Sequence, residues 1–377
     1  MASLDQPKTS YSDTTPQKRA ISDVISMIDP RDTPFLAWGG LNNESKFRLV
    51  NWPGTSYEGL EDTMEAIDGL SLNGSITSTQ TTVTVDDGTD FKVGDVLLVD
   101  SEYLVVSNVN TGTNVLTVYA RNYGGTQATH ADNAVIAIIG MARLEGAESD
   151  TGPVTDVTSR TFYTQIFQDE VKVTRTQNQL QQYGIGKEFD YQAAKKVPHL
   201  MRLLERSCIR GVSSAGSATT PRSFAGFHTH INVSGANTIS AGGAVVQADF
   251  EDALEAAYND GGMPTVAFVS PANMQVIKNF YDSASFLNVK REDTVVGMVI
   301  NRVHTPFGDV DLVIDRWMPD SFIDILDERH VGVVTLFPFT QEPLAKTGDY
   351  ERGQVVGEFG LVVRHPTQAH AAIIAIS

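Results

Sequence analysis

The serines of Gly211-Val-Ser-Ser-Ala-Gly216 are the first residues whose type and spacing could do chemistry, since a serine on a sharp glycine-flanked turn can act as a nucleophile. The spacing is G-x-S-x-x-G, however, and a helical pattern precedes it where a nucleophile elbow needs a strand. A hydrolase using Ser213 or Ser214 is therefore the weaker reading. His228 and His230 stand two apart; on a strand they share a face and could ligate a metal. That segment offers no cysteine, third histidine or carboxylate, so ordinary surface histidines are expected. Asp86-Asp87-Gly88-Thr89-Asp90 is acidic enough to attract Ca²⁺, but lacks the alternating EF-hand pattern and its closing glutamate. It reads as a solvated turn. Gly184-Ile-Gly186 lacks the third glycine and the preceding strand of a dinucleotide site, and no Walker spacing precedes Lys187. No catalytic residue, cofactor or metal site is expected, and the chain does not read as an enzyme.

A basic stripe is the more distinctive feature. Lys195, His199, Arg202, Arg206 and Arg210 recur at spacings that bring them onto one side of a helix. The helix that must carry them runs from Lys187 to Arg210. At 100° per residue, Phe189, Ala193, Val197, Leu200, Leu204 and Cys208 fall within about 50° of one direction, roughly opposite the stripe. One face is built to bury and the other to stay wet and positive. Set against Glu188, Asp190 and Glu205, the basic residues Lys187, Lys195, Lys196, Arg202, Arg206 and Arg210 leave this segment at +3, in a chain whose net charge is −18. Pro198 lies mid-helix, where it removes a donor and frees the Ala194 carbonyl at a cost of about 3 kcal/mol. A single kinked helix is expected, the alternative being two shorter helices meeting at Val197.

The 377 residues suffice for two or three domains, and 41% hydrophobic with 20% charged residues is ordinary for a folded protein. Cys208 is the only cysteine, so no intramolecular disulfide can form, as suits a reducing compartment. The first residues contain no apolar run, so no signal peptide is expected, and no stretch approaches the length of a membrane span. A charge of −18 argues against general nucleic-acid binding unless charge is segregated, and the stripe is such a segregation.

Residues 1–19 are polar and read as an arm with no core of its own. Ile21, Val24, Ile25 and Ile28 mark a short amphipathic helix that Pro30 ends, and the chain from Phe35 to Tyr57 looks extended. Between residues 70 and 140 the texture changes to short Thr- and Val-rich alternations, punctuated by turns such as Asp87-Gly88 and Asn110-Thr111-Gly112. Asp86, Asp87, Asp90, Asp95, Asp100, Glu102 and Asp132 against Lys92 and Arg121 leave it at −5. A small all-β barrel or sandwich is expected, inserted because extended sequence resumes at 151–168. A short strand, Glu170–Thr174, leads to the basic helix. A helix at 249–260 with Asp249 as N-cap, a buried strand at 265–269 and a helix opened by Ser270-Pro271 follow. The remainder reads as β: a hairpin around Pro306-Phe307-Gly308, then strands near 323–326, 331–337, 354–364 and 370–376. The class is α+β with a β insertion.

Several of these stretches resemble one family. The run Asp23-Val-Ile-Ser-Met-Ile-Asp-Pro-Arg-Asp-Thr-Pro-Phe35, the tryptophan strand Phe47-Arg-Leu-Val-Asn-Trp-Pro53, and Glu170-Val-Lys-Val-Thr174 before the long helix are similar to the major capsid proteins of tailed bacteriophages with the HK97 fold. Within them the chain most resembles the SU10-type major capsid family. The resemblance covers nearly everything outside residues 70–140. It implies an N-terminal arm at 1–40, an extended E-loop at 41–69 and 141–180, and the inserted β domain at 70–140. It further implies a peripheral P-domain at 181–248 and 346–377, whose spine is the long helix, and an axial A-domain at 249–345.

The resemblance also implies a function: self-assembly of hexamers and pentamers into an icosahedral shell around a phage genome. Lys195, His199, Arg202, Arg206 and Arg210 would then face packaged double-stranded DNA in the lumen. Asp29, Pro30, Arg31, Asp32, Thr33, Pro34, Phe35, Trp38 and Trp52 would lie at contacts between subunits. Portal, scaffold or cement proteins are further expected partners, a membrane is not, and the location is the virion capsid after assembly in the host cytoplasm. An encapsulin-like nanocompartment shell is the alternative of the same fold, and the serine hydrolase the alternative of another class.

Overall fold

The structure, a computed structural model, describes residues 30–39, 54–121, 123–148, 155–180, 185–234, 237–283 and 302–377. In chain order it comprises α1 (Pro34–Gly39), β1 (Ser56–Glu61), β2 (Leu70–Ser71), β3 (Thr82–Thr84), β4 (Asp95–Val99), β5 (Glu102–Asn110), β6 (Val115–Val118), β7 (Val135–Met141) and β8 (Thr158–Thr174). Then follow α2 (Arg175–Gln179), α3 (Glu188–Arg210), α4 (Phe227–Ser234), β9 (Thr238–Gly243), α5 (Gln247–Asn259), β10 (Val266–Val269) and α6 (Pro271–Ser283). The chain closes with β11 (Arg302–Thr305), β12 (Gly308–Ile314), β13 (Ile323–Leu326), β14 (Val331–Pro343), β15 (Tyr350–Val363) and β16 (Ala371–Ile376). It divides into two compact units, residues 60–160 and the remainder.

In the larger unit a four-stranded sheet in the order β1-β8-β15-β14 supports α3. The sequence reads Glu170–Thr174 as strand and 151–168 only as extended, yet one strand of 17 residues runs through both. Its buried positions run Phe162 and Thr164, then Phe167, Val171 and Val173, so the period-2 phase slips once and breaks the pattern that betrays a strand. Gly353 of β15 lets the Phe189 ring of α3 lie on the sheet, since a Cβ there would stand 2.8 Å from the ring. A second sheet, ordered β11-β12-β10-β13-β16-β9, carries α5 and α6. The hairpin at 306–308 pairs Thr305 with Gly308, and Ser270 accepts the Asn273 N–H at 3.2 Å as the cap of α6. Asp249, expected as the N-cap, stands three positions inside it. Val246 is the N-cap of α5, and the Asp249 carboxylate reaches back to accept the Val246 N–H at 2.9 Å.

Two local expectations need correction. The chain beyond Phe35 is not extended: Pro34–Gly39 is helical, with proline at the first helical position where no N–H is needed. The α3 helix runs unbroken through Pro198, so the two-helix alternative does not hold. The helix expected at 21–28 and the tryptophan strand at 47–53 lie outside the described residues.

In the smaller unit a six-stranded sheet runs β2-β7-β4-β5-β6-β3. Its edges meet: Leu72 bridges to Val85, and the Asn73 N–H donates to the Thr84 carbonyl at 2.9 Å, which closes the sheet into a barrel. Leu72, Val83, Leu97, Val99, Leu104, Val106, Leu116 and Ile136 fill the interior. One wall also buries an ionic knot. Glu102, fully buried, accepts from Arg121 Nε at 2.9 Å and Nη2 at 2.8 Å and from the Ala128 N–H at 3.1 Å, and meets His130 Nε2 at 2.9 Å. Burial alone would raise the Glu102 carboxyl, but the hydrogen bonds from Arg121, His130 and Ala128 outweigh it and bring it down to about 2.

Candidate functional site

The spine of the larger unit is α3, and its two faces part much as the residue spacing dictates. Phe189 and Ala193 pack on Val171 and Val173 of β8, while Leu200, Leu204, Cys208 and Ile209 enter the main core. Val197 was expected on the buried face and is 40% exposed. It falls between these two clusters and belongs to neither.

On the opposite side the basic residues divide into two groups. Lys195, His199 and Arg202 line a concavity of about 250 Å³ together with Arg31 and Gln192. There Arg202 Nη2 lies 3.3 Å from His199 Nδ1, Arg202 Nη1 reaches the Pro30 carbonyl at 3.5 Å, and Lys195 Nζ sits 5.0 Å from the Tyr191 ring centre. Arg206 and Arg210 line a separate groove of about 660 Å³ against the Gln165–Gln168 segment of β8, with Leu203 beside them. Both arginines are exposed and, among the described residues, make no ion pair. Lys196, by contrast, is held by Asp169 at 2.8 Å.

The start of the described chain is tied to the same helix. Glu205 projects from α3 and accepts the Phe35 N–H at 2.6 Å and the Leu36 N–H at 2.9 Å, which caps α1 with a side chain 169 residues away. Glu205 is fully buried. Burial first, and then the neighbouring Asp315 carboxylate, push it up to about 9 against the lowering effect of the two amides. Asp315 is itself raised, chiefly by burial. With both carboxyls raised, the pair shares a proton at neutral pH and is not doubly charged. Trp317 Nε1 donates to the Asp32 carbonyl at 2.9 Å, and Arg316 pairs with Asp32 at 3.0 Å.

This anchoring corrects the role expected of Phe35. It is fully buried in its own subunit, with its ring 4.9 Å from Phe227 and 5.3 Å from Phe268, so it has no surface to offer a neighbour. Trp38 is half-buried and packs on the same core. Arg31 and Asp32 are exposed, Pro30, Thr33 and Pro34 half-buried, and Asp29 and Trp52 lie outside the described residues. Sequence reasoning missed Glu205, counting it as a solvated charge. Met201, Glu205 and Ile209 form a column at i, i+4 spacing, and the apolar neighbours above and below were the available signal.

The remaining candidates come apart in three dimensions. His228 and His230 stand on helix α4, not on a strand, so two residues turn them about 200° apart. His228 Nδ1 meets Asp324 at 2.9 Å and its ring stacks on Phe322, whereas His230 packs edge-on to Phe162. No group of three potential ligands able to hold a metal occurs among the described residues. Ser214 exchanges backbone hydrogen bonds with Ser223, and its hydroxyl accepts the Gly216 N–H at 3.3 Å. Neither Ser213 nor Ser214 has a histidine or carboxylate partner among the described residues. Asp87 caps a short turn by accepting from the Thr89 N–H at 2.9 Å and hydroxyl at 2.7 Å, which accounts for that acidic run. Among the described residues no helix is long and apolar enough to cross a membrane.

Comparison with known proteins adds a common theme. Residues 8–377 match the model of the SU10 major capsid protein family. The major capsid protein of Escherichia phage Phieco32 is 22% identical over 276 residues, which span 60% of this chain and 78% of that protein. A solved chain of Microbacterium phage Oxtober96 superposes with a TM-score of 0.53 at 13% identity, covering 98% of this chain and 99% of the other. The capsid of a native GTA particle, computed with C5 symmetry, gives 0.55 at 12% identity with full coverage of both chains.

Proposed function

Since the chain belongs to the SU10 major capsid protein family, has the HK97-like fold and is a phage major capsid protein, we propose how its parts divide the work of a shell. Hexamers and pentamers of the chain build an icosahedral lattice around double-stranded DNA. Portal, scaffold or cement proteins complete the particle, which assembles in the host cytoplasm and becomes the virion capsid. Residues 1–40 act as the N-terminal arm and residues 41–69 with 141–180 as the E-loop. Residues 181–248 with 346–377 serve as the P-domain and residues 249–345 as the A-domain, while 70–140 is an inserted β domain.

The family match over residues 8–377 carries this reading. The structure supports the assignment of the inner face through charge. A protein of net −18 gathers basic side chains on one side of α3, and Arg206 and Arg210 are left without acidic partners among the described residues. A dense polyanion is the natural counter-charge for such a surface. Lys195, His199 and Arg202 extend that surface, and Arg31, Asp32 and Trp38 at the clasped root of the arm lead toward neighbouring subunits. Negative-stain electron microscopy of the purified full chain tests the assembly: closed particles of uniform diameter are expected. A protein that stays monomeric at high concentration, with and without co-expressed phage head proteins, would overturn it.

A further inference from the structure

The smaller unit carries a concavity of about 250 Å³, bounded by Tyr119, by Val93 and Gly94, and by Arg143, Leu144 and Glu148 of the turn that follows β7. Backbone contacts fix its shape. The Tyr119 N–H, one residue past β6, donates to the Val105 carbonyl at 3.0 Å, which holds the tyrosine beside β5. Gly94 donates to the Val106 carbonyl at 2.8 Å and accepts the Ala142 N–H at 2.7 Å. Its φ is +94°, and a Cβ there would stand 2.9 Å from the Ala142 carbonyl oxygen and 3.0 Å from Arg143 Cγ, so glycine is what lets the 142–148 turn lie this close. The Ala147 N–H closes the turn on the Leu144 carbonyl at 3.1 Å, and Arg143 Nη1 donates to the Glu148 carbonyl at 2.9 Å. Apart from that bond, Arg143 makes no hydrogen bond or ion pair among the described residues, and Tyr119 is 50% exposed.

We propose that this concavity is a binding site for one neutral hexopyranose ring, with Tyr119 as its platform and Arg143 and Glu148 as its polar contacts. The mixture of groups selects the ligand. An anion would meet the Glu148 carboxylate on the rim and Glu145 in the same turn, and a cation would meet the Arg143 guanidinium. An apolar side chain would take water from Arg143 and Glu148 and give them no partner in return. A pyranose meets all three demands at once. Its C–H face packs on an aromatic ring, while neighbouring hydroxyls accept from a guanidinium and donate to a carboxylate. Size agrees: the concavity falls below the ~300–1,000 Å³ of sites for drug-sized ligands, which leaves room for about one ring. Because backbone hydrogen bonds and a glycine already hold Tyr119 and the turn in place, little ordering cost opposes binding.

Saturation-transfer difference NMR on the full chain, with the methyl glycosides of glucose, mannose, galactose and N-acetylglucosamine as probes, tests this. At least one glycoside should receive saturation at its ring C–H protons. Tyr119→Ala and Arg143→Ala should each weaken that binding by about tenfold. Both side chains are exposed, so both variants should keep the parent's melting temperature. Tyr119→Phe, which keeps the ring, should retain binding, and so should Tyr123→Ala, which removes an exposed tyrosine outside the concavity. No transfer to any of the four probes would overturn the inference. So would transfer that survives in both alanine variants, or a loss in Tyr123→Ala equal to that in Tyr119→Ala, since the sugar would then bind elsewhere. A polysaccharide of the bound sugar that displaces the glycoside identifies the ligand as a unit within a glycan, and one that does not identifies a free sugar; both retain the site. Every residue of the site lies within the smaller unit of one chain, so its failure leaves the shell-forming function untouched.

Discussion

Replacing Glu205 with glutamine should reverse the sign of its effect on stability between pH 5 and pH 8. Glu205 is fully buried and caps α1 through the Phe35 and Leu36 amides, and burial with the Asp315 charge raises it to about 9 from an ordinary 4.5. In the unfolded chain it is ionised above pH 4.5, so folding must bind a proton throughout the window from 4.5 to 9. The contribution of this group is fully favourable below 4.5 and is lost by about 1.4 kcal/mol for each pH unit as pH rises through that window. Between pH 5 and pH 8 the loss is about 4 kcal/mol. Glutamine takes up no proton, so Glu205→Gln removes this dependence. It also turns an NH₂ group toward one of the two α1 amides, and a buried N–H left without an acceptor costs about 1–3 kcal/mol. The variant should therefore be less stable than the parent at pH 5 and more stable at pH 8. Urea denaturation of the unassembled subunit at both pH values measures this, with amide hydrogen exchange at Phe35 and Leu36 reporting on the clasp itself. An equal destabilisation at both pH values would refute the argument, because it would mean that Glu205 is ionised in the folded protein.

Further outcomes follow from other sites. Arg206→Gln with Arg210→Gln should leave empty-shell assembly intact and lower DNA retention in filled heads, most visibly as salt is raised, as measured by DNA per particle after a salt challenge. Arg121→Ala should destabilise the barrel by about 3–5 kcal/mol in a thermal scan, since it strands the buried Glu102 carboxylate. Because Glu102 is lowered to about 2 from 4.5, its stabilisation is complete above pH 4.5 and disappears as pH falls toward 2, and Glu102→Gln should flatten that acid limb. Leu204→Asp should abolish folding, with loss of the soluble subunit on expression, because it buries an unpaired carboxylate at a site with no exposure. Gly226→Ala should lower the melting temperature by several degrees, since a methyl group there collides with the Ile209 carbonyl at the end of α3.

What could be read from the residues themselves was whatever depends on local period and charge. The apolar arc of α3, its basic counter-face and the turn-punctuated strands of 82–118 all follow from spacings of a few residues. So did the resemblance to phage capsid proteins, carried by contiguous motifs. Tertiary structure decided the matters that involve residues far apart in the chain. Glu205 looks like a solvated charge until α1 is laid against it, and Phe35 looks like a sticky surface aromatic until Phe227 and Phe268 close around it. His228 and His230 share a side on a strand but not on a helix, so one error of element type dissolves a candidate metal site. Val197 has the right angle for burial but falls between two clusters. Local spacing fixes which way a side chain points from its own helix or strand. Burial, pairing and protonation depend on what the rest of the chain brings to meet it, and that is set only when the whole fold forms.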